Sequence, residues 1–105
     1  MVKLRILNKQ EERKLAENTI LTYKGKPMQR RENVIYFGSF QEDFMIQFTI
    51  TDTKKSGEID IATNVLIELK DNRTGATVKK AERENLYKAI DIAEFWLFDA
   101  LGEIE

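Results

Sequence analysis

Along the first two thirds of the chain apolar and polar residues alternate. The spacing then changes to threes and fours, so the pattern predicts strands followed by one long helix. Val2, Leu4 and Ile6 alternate with Lys3 and Arg5, as in a half-buried strand. Asn8 offers a helix N-cap with Glu11 three residues on, and residues 9–17 are strong helix formers. Only Leu15 and Ala16 are apolar there, which predicts a short, polar, peripheral helix. Thr19 to Tyr23 reads as a strand stopped by Gly25-Lys26-Pro27. The polar stretch Lys24–Asn33, which holds the one proline, reads as a mobile loop.

Val34 to Phe40 is apolar at both parities and predicts a strand covered on both faces, with Gly38 marking a bulge or a close backbone approach. Phe44, Ile46, Phe48 and Ile50 alternate with Met45, Gln47, Thr49 and Thr51 in the clearest strand signal of the chain. Asp52–Gly57 reads as a turn. Glu58–Lys70 then places Ile59, Ile61, Val65, Ile67 and Leu69 on one face. That run exceeds the usual strand length, so a bend or bulge is expected near Thr63 or Asn64.

Leu86, Ile90, Ala93, Leu97, Leu101 and Ile104 form a helical stripe, widened by Ala89, Trp96 and Ala100 and followed by a C-cap glycine, Gly102. The helix is expected from about Lys80 to Leu101. The expected fold is one α+β domain over residues 1–105. It is an antiparallel β-meander of about four to five strands, with the long C-terminal helix on one face and a short polar N-terminal helix.

Composition narrows the chemistry. A hydrophobic share of 42% in 105 residues is that of a folded chain, not a disordered one. With 17 basic and 18 acidic residues the net charge is −1, which argues against nucleic acid as the main partner. The chain has no Cys, which excludes thiolate nucleophiles and zinc–thiolate or iron–sulfur sites. It also has no His, and with it go the usual proton shuttle, the commonest transition-metal ligand and Ser-His-Asp catalysis. No cofactor and no metal site are expected. Residues 1–7 lack the apolar core of a signal peptide and no stretch is long enough to span a membrane, so a cytoplasmic location is expected.

Four features remain as candidates. Lys24, Lys26, Arg30 and Arg31 gather four positive charges into eight residues, suited to an anion or a phosphate backbone; the plainer reading is a solvated loop. Tyr36, Phe37 and Phe40 invite base stacking but match no RNA-binding octapeptide, and aromatics at strand period usually belong to a core. Phe95, Trp96 and Phe98 give the helix more apolar surface than one sheet needs, which suggests an interface and, most simply, a homodimer. Lys79, Lys80, Arg83 and Lys88 crowd the expected helix start and Asp99, Glu103 and Glu105 its end, against the helix dipole. The acidic end is therefore a possible mate for the basic loop.

Glu42, Asp43, Asp52, Glu58 and Asp60 flank turns, where acids are ordinary. The leading expectation is a small cytoplasmic non-enzymatic protein acting through protein–protein interaction as a homodimer, or with an unidentified protein partner. An anion- or nucleic-acid-binding module built on Lys24–Arg31 is the alternative. A His-independent enzyme using carboxylates such as Glu58 and Asp60 is a second one.

Overall fold

The alternating segments pair with their neighbours in chain order, as short connections require. The computed structural model describes residues 20–103. In it, β1 (Ile20–Tyr23), β2 (Lys26–Arg31), β3 (Val34–Phe37), β4 (Phe44–Ser56), β5 (Ile59–Asp71) and β6 (Thr77–Arg83) precede one helix, α1 (Leu86–Ala100). The strands form one antiparallel sheet in the order β1-β2-β3-β4-β5-β6, and α1 lies across one face of it. The α+β meander with a C-terminal helix is thus present, with six strands rather than four to five. The strand and polar helix expected before residue 18 lie outside the described residues.

Two corrections account for the extra strands. Lys24–Asn33 is not a loop. Lys24 and Gly25 both take positive φ, 55° and 80°, the conformation a two-residue hairpin turn needs, so β2 folds straight back on β1. A second tight turn, with Glu32 at φ 56°, leads into β3. The helix also begins later than Lys80. Residues 77–83 pair with β5 as β6, and Asn85 caps α1 by accepting the Lys88 backbone N–H at 2.9 Å. Lys79, Lys80 and Arg83 therefore sit on a strand, and the unfavourable charge pattern at the helix start shrinks to Lys88, which pairs with Glu84 at 2.9 Å.

β3 ends at Phe37, three residues before the expected limit, and only one of its faces is covered: Ile35 and Phe37 are buried, whereas Val34 and Tyr36 are half-buried on the other side. β4 continues through the expected turn at 52–57, so β4 and β5 each run for 13 residues around Gly57-Glu58. The expected irregularity is present. Ile50 pairs with Val65, Asp52 with Asn64 and Thr53 with Ala62, leaving Thr51 and Thr63 without partners.

The core lies between α1 and the sheet. Met28, Phe37, Ile46 and Leu69 stand side by side across β2–β5, and Ile35, Phe48 and Ile67 form the next row. Ala89, Ile90, Ala93 and Leu97 of α1 close over them, the two alanines allowing close approach. Ile59 and Ile61, expected in this core, are 45% and 43% exposed. They lie beyond Val65, the last β5 residue paired with β6, and α1 starts at that level. Past the irregularity Ala62 packs against the core, so Ile61 and Ile59 turn to the opposite face.

Gly38 is the close approach that the sequence marks. Its φ is +111°, and a Cβ there would lie 3.3 Å from Leu97 Cδ2 and from Met45 Cβ. Gly38→Ala is therefore expected to cost about 2–4 kcal/mol in urea unfolding, from backbone strain and overpacking together. Gly57→Ala, with nothing within 4 Å of the new Cβ, is expected to cost only about 1 kcal/mol. Equal losses at the two positions would contradict this account.

Candidate functional site

Strand alternation divides the basic segment. Lys26, Met28 and Arg30 point to the helix side of β2, whereas Gln29 and Arg31 point to the uncovered side. Lys26 is only 8% exposed. Its Nζ lies 3.1 Å from Glu42 Oε1 and 3.0 Å from Glu103 Oε1, and 5.5 Å from the centre of the Phe98 ring. Burial works to lower the ammonium pKa. The hydrogen bonds to Glu103 and Glu42 outweigh it, and the net displacement is upward. The acidic end of the helix thus does meet the basic segment, within one chain.

Lys24 Nζ pairs with Glu94 at 3.4 Å, and the Tyr23 hydroxyl donates to the same carboxylate at 3.0 Å. Burial, then this hydrogen bond, raises the Tyr23 pKa. Arg30 donates from Nε to the Glu32 carbonyl, and burial lowers its pKa. Arg31 has no ion pair or hydrogen bond through its guanidinium among the described residues. With Gln29, Glu32, Asn33, Val34 and Tyr36 it lines an open concavity of ≈ 580 Å³ on the uncovered face. Of the four candidate cations, Lys24 and Lys26 are engaged internally and Arg31 faces solvent.

The aromatic groups divide in the same way. Phe37 is buried against Tyr23, with ring centroids 5.7 Å apart. Tyr36 stands on the uncovered face with Phe40 tilted against it at 5.6 Å, and Phe40 is 67% exposed. On α1, Phe98 lies beneath Lys26, and Trp96 packs on the core with Lys79 Nζ 5.8 Å from its ring centre. Phe95 is 58% exposed. It lies two residues from both Ala93 and Leu97, about 160° round the helix from each, in line with exposed Lys88, Asp91 and Asp99.

Sequence reasoning missed the hairpin arm. Beyond Ile50 and Val65, β4 and β5 pair only with each other among the described residues, and residues 51–61 are exposed throughout. Residues 51–56 are polar at both parities, which reads as a turn. The usable signal was Gly57 with strand-compatible residues on both sides. Glu58 and Asp60 stand on this arm, where Asp60 pairs with Lys55 at 3.5 Å. No three His, Cys, Asp or Glu side chains among the described residues converge on a point that would hold a metal ion.

Lys26 is the buried charge whose loss is measurable. Lys26→Ala, which strands Glu42 and Glu103 without their cation, is expected to lower the unfolding free energy by about 1–3 kcal/mol. Because the folded pKa of Lys26 is raised, its contribution is fully present below the ordinary lysine value and disappears as pH climbs through the folded one. Wild-type stability should therefore fall on the alkaline side more steeply than that of Lys26→Met, by chemical denaturation at a series of pH values. Parallel curves would remove Lys26 from this role.

Comparison with protein-family models, with characterised proteins and with solved structures finds no match.

Proposed function

We propose that the protein is a non-enzymatic cytoplasmic binding protein that acts through protein–protein contacts and assembles as a homodimer. The observation that carries this reading is the one-sided cover of the sheet among the described residues. α1 closes one face, while the other face and the arm leave Phe40, Ile59 and Ile61 exposed. A two-stranded arm is marginally stable alone, and exposed isoleucines on it forgo about 1–2 kcal/mol each of available burial. A partner that covers them recovers that free energy. No helix among the described residues is long and apolar enough to cross a membrane, consistent with work in solution.

Of Phe95, Trp96 and Phe98 on α1, Phe95 is the one that offers an anchor to a partner. Asp91 and Asp99 flank it one turn to either side, so a two-fold axis at Phe95 would oppose acid to acid. Phe95 therefore suits a basic partner better than its own copy, while Trp96 and Phe98 are half-buried. Light scattering coupled to size exclusion is expected to give twice the 12.3 kDa of one chain. The same mass is expected for Phe95→Ser, with little change in melting temperature. A wild-type mass of 12.3 kDa would remove the homodimer.

Arg31 favours a second reading, an anion site. Its guanidinium has no partner among the described residues and shares the concavity with Tyr36. Binding of inorganic tripolyphosphate that weakens steeply with salt and is lost in Arg31→Ala would support it. Unchanged binding in that variant would dismiss it.

A further inference from the structure

We infer that the homodimer is a face-to-face sandwich of two sheets, each copy laying its uncovered face and its arm on those of the other. This rests on the homodimer reading and specifies the surface that builds it.

The β2–β6 register places Arg31, Val34, Thr49, Leu66 and Glu82 in one row across the uncovered face. Gln29, Tyr36, Gln47, Glu68 and Lys80 form the adjacent row. Each row has β4 at its centre. A two-fold axis parallel to the strands and above β4 reverses the strand order of one copy over the other. Arg31 then falls on Glu82 of the second copy, Val34 on Leu66 and Thr49 on Thr49. In the next row Tyr36 falls on Glu68, whose carboxylate can accept from the phenol, and Lys80 on Gln29.

The row from Arg31 to Glu82 is self-complementary in charge. Arg31 at one end meets Glu82 at the other and Val34 meets Leu66 beside the axis, whereas in the second row Lys80 meets Gln29. Arg31, without an ion pair among the described residues, gains a carboxylate partner. The symmetry is isologous, so the assembly closes at two copies. Strands in the two sheets run nearly parallel, as aligned sandwiches require, with the sheets about 10 Å apart.

The arm extends the same surface. Its register sets Ile61 opposite Lys54 and Ile59 opposite Ser56, and beyond the Thr51/Thr63 irregularity these residues take the uncovered side. The irregularity thus moves two isoleucines from a place where α1 ends too soon to one where the second copy lies over them. Lys55 and Asp60 pair with each other on the arm's opposite side and stay in solvent.

The natural chain has no cysteine, so single cysteines report the contact directly. Thr49→Cys lies on the proposed axis and Phe95→Cys on the far side of the molecule. At low micromolar concentration a short bismaleimide is expected to join two Thr49→Cys chains into a covalent dimer and to leave Phe95→Cys chains single. Arg31→Glu is expected to raise the dimer dissociation constant about ten-fold, two symmetric contacts being lost, and adding Glu82→Arg should restore it. A wild-type dimer that cross-links through Phe95→Cys and not through Thr49→Cys would overturn the sandwich and leave the homodimer standing. A monomeric wild-type mass would overturn both, whether or not tripolyphosphate binds at Arg31.

Discussion

Among the described residues a single helix serves as the cover for a six-stranded sheet, and most features of the structure follow from that mismatch. A helix is about 10 Å across, whereas five strand spacings amount to about 24 Å. α1 lies over β4, β5 and β6, close enough for Ala89 and Ala93 to be fully buried. The far strands add polar contacts to the burial of Tyr23 and Met28. Tyr23 and Lys24 reach Glu94, and Lys26 reaches Glu103 just beyond the helix. They draw the β1–β2 hairpin up against the C-terminal half of α1. Lys26 also puts a positive charge near the negative end of a helix whose last turn contains no basic residue.

These contacts alter what the basic segment can do. Lys24 and Lys26 cannot leave Glu94, Glu42 and Glu103 for a passing anion without loosening the hairpin from the helix. What looks like a cationic patch is for the most part a set of structural clamps, and Arg31 is the exception because its parity sends it to the other face. In one row of that face Arg31 stands at one end and Glu82 at the other, and in the adjacent row Glu68 and Lys80 are neighbours. Such an arrangement favours a partner of the same kind over a polyanion, which would meet Glu68 and Glu82 as soon as it met Arg31 or Lys80.

The arm follows from the same limit of cover. Once α1 begins at the level of Val65, any continuation of β4 and β5 projects beyond the helix. Glycine at position 57 closes the hairpin there, and among the described residues both outer edges of the arm are unpaired. Charged residues Lys54, Lys55, Glu58 and Asp60 along it are the usual guard against indiscriminate strand pairing, while Ile59 and Ile61 keep one face available for a specific contact.

By itself the sequence determined the meander, the C-terminal helix on one face and the Phe44–Ile50 strand, because burying one face of a strand or helix imposes a strict period on which residues are apolar. It determined the close approach at Gly38 and the irregularity near Thr63 for the same reason: a missing side chain and an overlong strand are visible in one dimension. It misjudged segments whose fate depends on pairing. Lys24–Asn33 is polar enough for a loop, yet adjacent strands offer its backbone hydrogen bonds. Residues 79–83 are good helix formers that β5 recruits as a strand. Ile59 and Ile61 alternate like core residues, but only the tertiary structure decides where the helix stops covering them. It alone shows that Lys24 and Lys26 are bound to acids remote in sequence, because ion pairs across tens of residues leave no local pattern. The uncovered face, with Arg31 and Glu82 at opposite ends of one row, becomes legible only when the strand register is known.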